Sequence, residues 1–325
     1  MLVDSEIPQL LRRRHILSGY RPLNESANYY FTSAFKLHNE FMNFWTHMLP
    51  LFFIYIRYIH PEIFFVSESR WPLLILYFGV TTLFLASSFT HLMHSRSQLD
   101  HIFWLLIDFS GILTFSLCIG LQRLAQRQES SSFFNNFYIY TLIFVVYLQY
   151  ISTSALFVLR PFWKTRHIIR LFTCLLCGIW LYIPIIHRYF TSPTELTTPD
   201  IGLPFHSSAF QWLLISGIFM GVNFPECICP GFFDYFCYGH QIFHICIFMV
   251  TWNLCDGATH DAIQFSNFSQ TELYEPVIKV LVGNAIGIAT TLWVLMKYAN
   301  IRINDKKVET VKDCGGVPDE IGTAI

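Results

Sequence analysis

Charge is scarce in this chain: Asp, Glu, Lys and Arg make up 13% of its 325 residues, 21 basic against 22 acidic. That balance leaves no basic stripe to neutralise phosphates, which excludes a nucleic-acid-binding role. A removable leader is not expected either. The first 40 residues are polar and mixed, and the basic cluster Arg12, Arg13 and Arg14 is far from any apolar run. Cysteine offers no disulfide framework. Of the nine, Cys118, Cys174, Cys177, Cys246 and Cys255 fall in or at the ends of apolar segments, and Cys227, Cys229 and Cys237 gather near one short loop. The Cys227-x-Cys229 spacing can serve a metal, but loop cysteines more often serve as small residues.

Apolar sequence is abundant. Hydrophobic residues make up 53% of the chain, including 33 Phe, 16 Tyr and 8 Trp, and the mean hydropathy is +0.43. Eight apolar segments, near 42–60, 71–94, 101–121, 134–159, 168–188, 208–225, 239–255 and 276–299, approach the ~20 residues that cross a bilayer. The seventh is the shortest, bracketed by Gly239 and Gly257. The expected fold is therefore all-α, a polytopic transmembrane helical bundle. Its parts are a cytoplasmic N-terminal segment (1–41), a transmembrane helical domain (42–299) and a disordered C-terminal tail (300–325).

Loop charges set the orientation. Fifteen Lys and Arg, among them Arg12, Arg13, Arg14, Arg96, Arg166 and Arg170, fall on the side of the N-terminus, against Arg57, Arg70, Arg123, Arg127 and Arg188 opposite. Both termini are then cytoplasmic. Seven spans would send the basic tail outside, so the count favours an eighth. The sequon Asn267-Phe268-Ser269 lies in an acidic outer loop.

Polar residues inside such segments are costly and functional by default. They are Ser87-x3-His91, Asp108 in LLIDFSGI, and His240-x3-His244, with His38 and His47 flanking the first span. The end of the second span, the start of the third and the start of the seventh share the cytoplasmic side. At 1.5 Å per residue these groups lie within about 10 Å of the inner interface. Residues at i and i+4 project from one helix face, so His240 and His244 can grip one ion. His91 from a neighbouring helix completes a three-histidine set with an open fourth position, as in catalytic zinc sites. Asp108 would act on the water there or ligate directly. The residue types suit zinc while leaving iron, cobalt and nickel open. Membrane histidines also serve simply as interhelical hydrogen-bonding groups; four groups meeting at one depth favour the metal. His94 and His101, without spacing partners, read as interfacial.

The stretches GYRPLNESANYYFTSAFKLHNEFMNFWTHML (19–49), SSFTHLMHSRSQLDHIFWLLIDFSG (87–111) and PECICPGFFDYFCYGHQIFH (225–244) resemble the three signature blocks of the progestin and adipoQ receptor family. The GYRP opening, the HNE-x2-N-x-WTH block and the eighth span resemble its membrane progestin receptor branch. The resemblance implies a seven-helix receptor core plus an eighth span, related to the alkaline ceramidases. It implies zinc on His91, His240 and His244, Asp108 contacting zinc through water, and Ser87 helping to hold water or an oxyanion. It implies a structural role at the cytoplasmic mouth for His38, Asn39, Glu40, Asn43, Trp45, Thr46 and His47. Phe109 departs from the family, which commonly has Tyr there.

Three function classes follow. A receptor would take a progestogen-like steroid or other lipophilic ligand between its helices. A zinc-dependent hydrolase would cleave an amide or ester of a ceramide-type lipid, Asp108 or Ser87 assisting. A regulator of membrane lipid composition would hold structural zinc. The plasma membrane is implied by the family. Arg12–Arg14 reads as a topology determinant that can also touch anionic membrane lipids, and Thr323-Ala324-Ile325 as compatible with a PDZ groove.

Overall fold

The computed structural model describes residues 1–66, 70–126, 137–163, 165–191, 199–265 and 273–314. Helices dominate them: α1 (Ala27–Ser33), α2 (Phe41–Ile54), α3 (His60–Phe64), α4 (Trp71–Met93), α5 (Gln98–Ala125), α6 (Tyr138–Leu159), α7 (Arg166–Thr191), α8 (Leu203–Val222), α9 (Gly239–Gln264) and α10 (Tyr274–Cys314). Helices are the form in which a chain this apolar satisfies its backbone groups within each segment, as a bilayer requires. Seven of them, α4 to α10, are long and apolar enough to cross a membrane. The first expected span is also helical throughout, but one π turn, Tyr55–Ile59, separates α2 from α3. Pro61 has no N–H to give one turn back, and the helix widens just before it, with the His60 N–H reaching the Tyr55 carbonyl. With it, eight helical stretches of about spanning length occur among the described residues.

Packing follows chain order around a closed ring. α2 packs on α4, α4 on α5, α5 on α6, α6 on α7, α7 on α8, α8 on α9, and α9 returns to α2. The eighth crossing, α10, lies outside against α5 and α6, and only 11% of its apolar stretch is buried within the protein. It extends beyond the boundary expected at 299, to Cys314. The α4–α5 contact is the closest kind that side chains allow. A Cβ on Gly79 would stand 2.6 Å from Cys118 Cβ, and one on Gly111 would stand 2.7 Å from Ala86 Cβ.

The N-terminal segment folds over one end of the ring. Ile7, Leu11, Ile16 and Tyr20 pack with Tyr238, and Asp234 accepts from the Leu17 N–H (2.9 Å) and Ser18 hydroxyl (2.6 Å). The Asn24 N–H reaches the Arg96 carbonyl at 2.8 Å. The loops after α4 and α8 therefore share this end with the N-terminus, the parity expected if the α2–α3 stretch also crosses. Cys227 and Cys229 carry free thiols. The sequon at 267–269, Arg127 and the terminal 323–325 motif lie outside the described residues.

Candidate metal centre

His91 lies in the last turn of α4, and His240 and His244 in the first two turns of α9. The ring brings α4 and α9 together, and one ligand atom from each of the three histidines falls within 4.8 Å of the others. His91 and His244 are each 1% exposed.

Neighbouring side chains fix the tautomers so that lone pairs face inward. His91 Nδ1–H donates to Glu40 Oε2 at 2.7 Å, leaving its Nε2 as an acceptor. His244 Nδ1 lies 3.0 Å from Thr46 Oγ1, whose own hydrogen is used on the Met42 carbonyl at 2.7 Å. Thr46 therefore accepts, and His244 Nε2 is free to ligate. His91 Nε2 and His240 Nε2 are 3.4 Å apart. That is long for an N–H···N bond, but a tetrahedral zinc with Zn–N of about 2.0–2.1 Å sets ligand nitrogens about 3.3–3.4 Å apart. The donor set fits such an ion.

Glu40, the residue that precedes α2, sits at the middle of the supporting network. Its carboxylate takes a forked pair from Arg13 (3.0 and 3.2 Å) and a bond from Asn43 Nδ2, and lies 3.6 Å from His94 Nε2. Burial pushes this carboxyl up, but the Arg13 guanidinium and the bonds from His91 and His94 outweigh it and hold it well below the usual carboxylate range. An ionised carboxylate on the far nitrogen of a ligating histidine is the usual second partner of metal-bound imidazole. Arg21 secures the end of α4. Fully buried, it donates to the carbonyls of His91 (2.8 Å) and Leu92 (2.6 Å) and to the hydroxyls of Ser33 and Ser95, satisfying carbonyls that a helix C-terminus leaves open. Burial pushes its pKa down to about 10.

Ser87, one turn before His91, lies close enough to Asp108 on α5 to influence its carboxyl. Neither belongs to the converging histidine group, and Asp108 is half-buried. His47 stacks on His244, ring centroids 3.7 Å apart. Phe109 packs edge-on against Phe157 at 5.8 Å. His94 and His101, expected at the inner interface, are buried within the protein, 6% and 8% exposed, their Nδ1 atoms 3.0 Å apart, and Glu40, His91 and His94 form a second group able to hold a metal. Glu40 lies 3.6 Å from His94, and Phe157 packs against His101. Glu40 is expected from the resemblance in a structural role at the cytoplasmic mouth; the signal for its bond to His91 is a carboxylate just ahead of the first span, since a ligating histidine needs such a partner.

The sequence is similar to known proteins over most of its length. A family model described as Haemolysin-III related matches residues 35–254, which include Glu40 and all three histidines. Membrane progestin receptor alpha-B of Danio rerio is 26% identical over 294 residues, covering 87% of this chain and 81% of that protein. Membrane progestin receptor alpha of Homo sapiens is 26% identical over 279 residues (84% and 79%), and the human membrane progestin receptor gamma is 26% identical over 257 residues (76% of each).

Proposed function

The chain belongs to the haemolysin-III-related family, that of the progestin and adipoQ receptors, and from that premise we propose that it is a multi-pass membrane receptor with a zinc centre at its cytoplasmic end. Its ligand is a steroid of the progestogen type or another lipophilic molecule, and the plasma membrane is its place. The observation that carries the zinc centre is the convergence of His91, His240 and His244 within 4.8 Å, with Glu40 and Thr46 holding the far nitrogens of two of them. The relatives' names carry the class of ligand.

The three histidines would hold zinc, Glu40 would keep His91 ionically anchored, and Thr46 would set the ring of His244. Zinc, when bound, supplies Lewis acidity and lowers the pKa of water. Ser87, one helical turn from His91, and Asp108 on the neighbouring α5 offer a hydroxyl and a carboxylate able to hold a water or the polar end of a ligand entering from lipid. That pair also favours a second reading, hydrolysis of a ceramide-type amide, in which Asp108 accepts a proton from water and Ser87 orients the carbonyl.

Metal analysis of the detergent-purified protein beside His91→Ala and His240→Ala tests the centre: about one zinc per chain is expected in the parent and none in either variant. A folded parent without metal would refute it. On the same sample, saturable progesterone binding supports the receptor, while ceramide turnover lost in Asp108→Ala would move the assignment to the hydrolase.

A further inference from the structure

A second polar site lies at the inner end, away from the histidines. Where the N-terminal segment meets the loop between α6 and α7, a cavity of about 400 Å3 is lined by Arg12, Arg13, Arg14, His15, Arg166 and His167. Clefts for small ligands span about 300–1,000 Å3. Among the described residues, Asp4 is the one carboxylate lining it against four guanidiniums.

Those cations are only partly matched. Arg13 is committed to Glu40, and Arg12 gives its Nε to the Ile7 carbonyl at 3.0 Å. Nη1 of Arg166 is buried and has no hydrogen-bond partner among the described residues. Arg166 also lies in the repulsive field of Arg170 and Arg14, and Arg14 is exposed where it lines the cavity. Like charges gathered in a partly desolvated space oppose one another until an anion joins them. Guanidiniums pair in forked fashion with phosphate oxygens. α7 begins at Arg166 and runs 26 residues, so the positive end of its dipole faces the same space.

The surroundings select among phosphates. Phe162 and Trp163 also line the cavity and are 53% and 45% exposed, aromatic side chains at the end of a membrane-crossing helix, the depth of lipid headgroups. The cytoplasmic leaflet is the anionic one. We infer that this cavity binds a phosphomonoester-bearing headgroup of an inner-leaflet lipid, of the phosphorylated phosphatidylinositol kind. Each phosphomonoester carries about −1.5 to −2 charges, so a headgroup bearing two of them matches the three charges of Arg12, Arg14 and Arg166 together. The basic N-terminal cluster is then a ligand-binding element as well as a topology determinant.

The test uses the full-length protein in nanodiscs containing phosphatidylinositol bisphosphate, phosphatidylserine at matched charge, or neutral lipid with free inositol trisphosphate added. Saturable one-to-one binding of the phosphomonoester is expected, weakened at least about tenfold, or about 1.4 kcal/mol, in Arg14→Gln and in Arg166→Gln. Lys36→Gln, an exposed basic residue outside the cavity, should leave it unchanged. Tighter binding of the lipid than of the free headgroup assigns the site to the membrane; equal affinity assigns it to a soluble phosphate ester and overturns the lipid source. Absence of saturable binding, equal response to phosphatidylserine, or equal loss in Lys36→Gln would overturn the site. Arg14 is exposed, so its variant keeps the test valid if Arg166→Gln fails to fold.

Discussion

Glu40→Gln removes one charge and no bulk from the side chain on which the centre's orientation depends. Every polar neighbour of the Glu40 carboxylate is a donor or a group that can donate: the Arg13 guanidinium, Asn43 Nδ2, His91 Nδ1 and His94 Nε2. An amide placed there must turn its NH2 toward one of these donors, leaving two donors facing each other in a buried site. That mismatch costs about 1–3 kcal/mol of folding stability. The effect on the metal is separate. A neutral amide oxygen is a weaker acceptor for His91 Nδ1–H than a carboxylate, so the imidazole becomes a poorer ligand. Loss of such an outer partner typically weakens metal binding about 10- to 100-fold, or about 1.4–2.7 kcal/mol.

The two effects are read independently, stability from the thermal midpoint of the metal-stripped protein and affinity from competition for zinc against a chromophoric chelator. Arg13→Gln is the comparison, because it disturbs the same ion pair while leaving the bond from His91 to Glu40 in place. The expected result is a lower thermal midpoint in both variants and a large drop in zinc affinity in Glu40→Gln alone. Parent-like zinc affinity in Glu40→Gln would refute the reasoning and leave Glu40 as a structural anchor for the N-terminal segment.

Three further outcomes are expected. Thr46→Val deletes the acceptor for His244 Nδ1–H and should lower zinc affinity by up to about tenfold, measured by the same competition. Arg21→Met leaves the His91 and Leu92 carbonyls unpaired in a buried site and should destabilise the protein by about 1–3 kcal/mol for each group; Arg21→Lys, without the fork, should fall between it and the parent in thermal unfolding. At the opposite end, Asp261 accepts from Arg188 (2.7 and 3.0 Å) and His206 (2.8 Å), tying α9 to α7 and α8, so Asp261→Asn should lower the thermal midpoint while zinc per chain stays at the parental value.

Some parts of this molecule are readable from its sequence, and the physics explains why others are not. Ser87, His91, His240 and His244 stand out because a polar residue in a 20-residue apolar run is costly without a partner, and because i,i+4 spacing on one helix and the parity of loops together set direction and depth. The first crossing is legible as an apolar run; the π turn that divides it is local geometry ahead of Pro61. Glu40 is different. Its bond to His91 spans 51 residues of sequence, and a carboxylate just outside a membrane segment has an ordinary reading as a solvated helix end. Only the packing of α2 against α4 turns it into the partner of a buried imidazole. The burial of His94 and His101 is hidden for the same reason, as is the irregular N-terminal segment that packs over this end of the ring. That segment is held by bonds such as Arg21 to the His91 carbonyl, 70 residues away, and Leu17 to Asp234, 217 residues away. Hydrophobic period reports which face of a helix is apolar; it carries no information about which polar side chain closes the helix end. The supporting half of a metal centre is therefore the half that sequence periodicity leaves hidden, and in this chain that half is Arg13, Arg21 and Glu40.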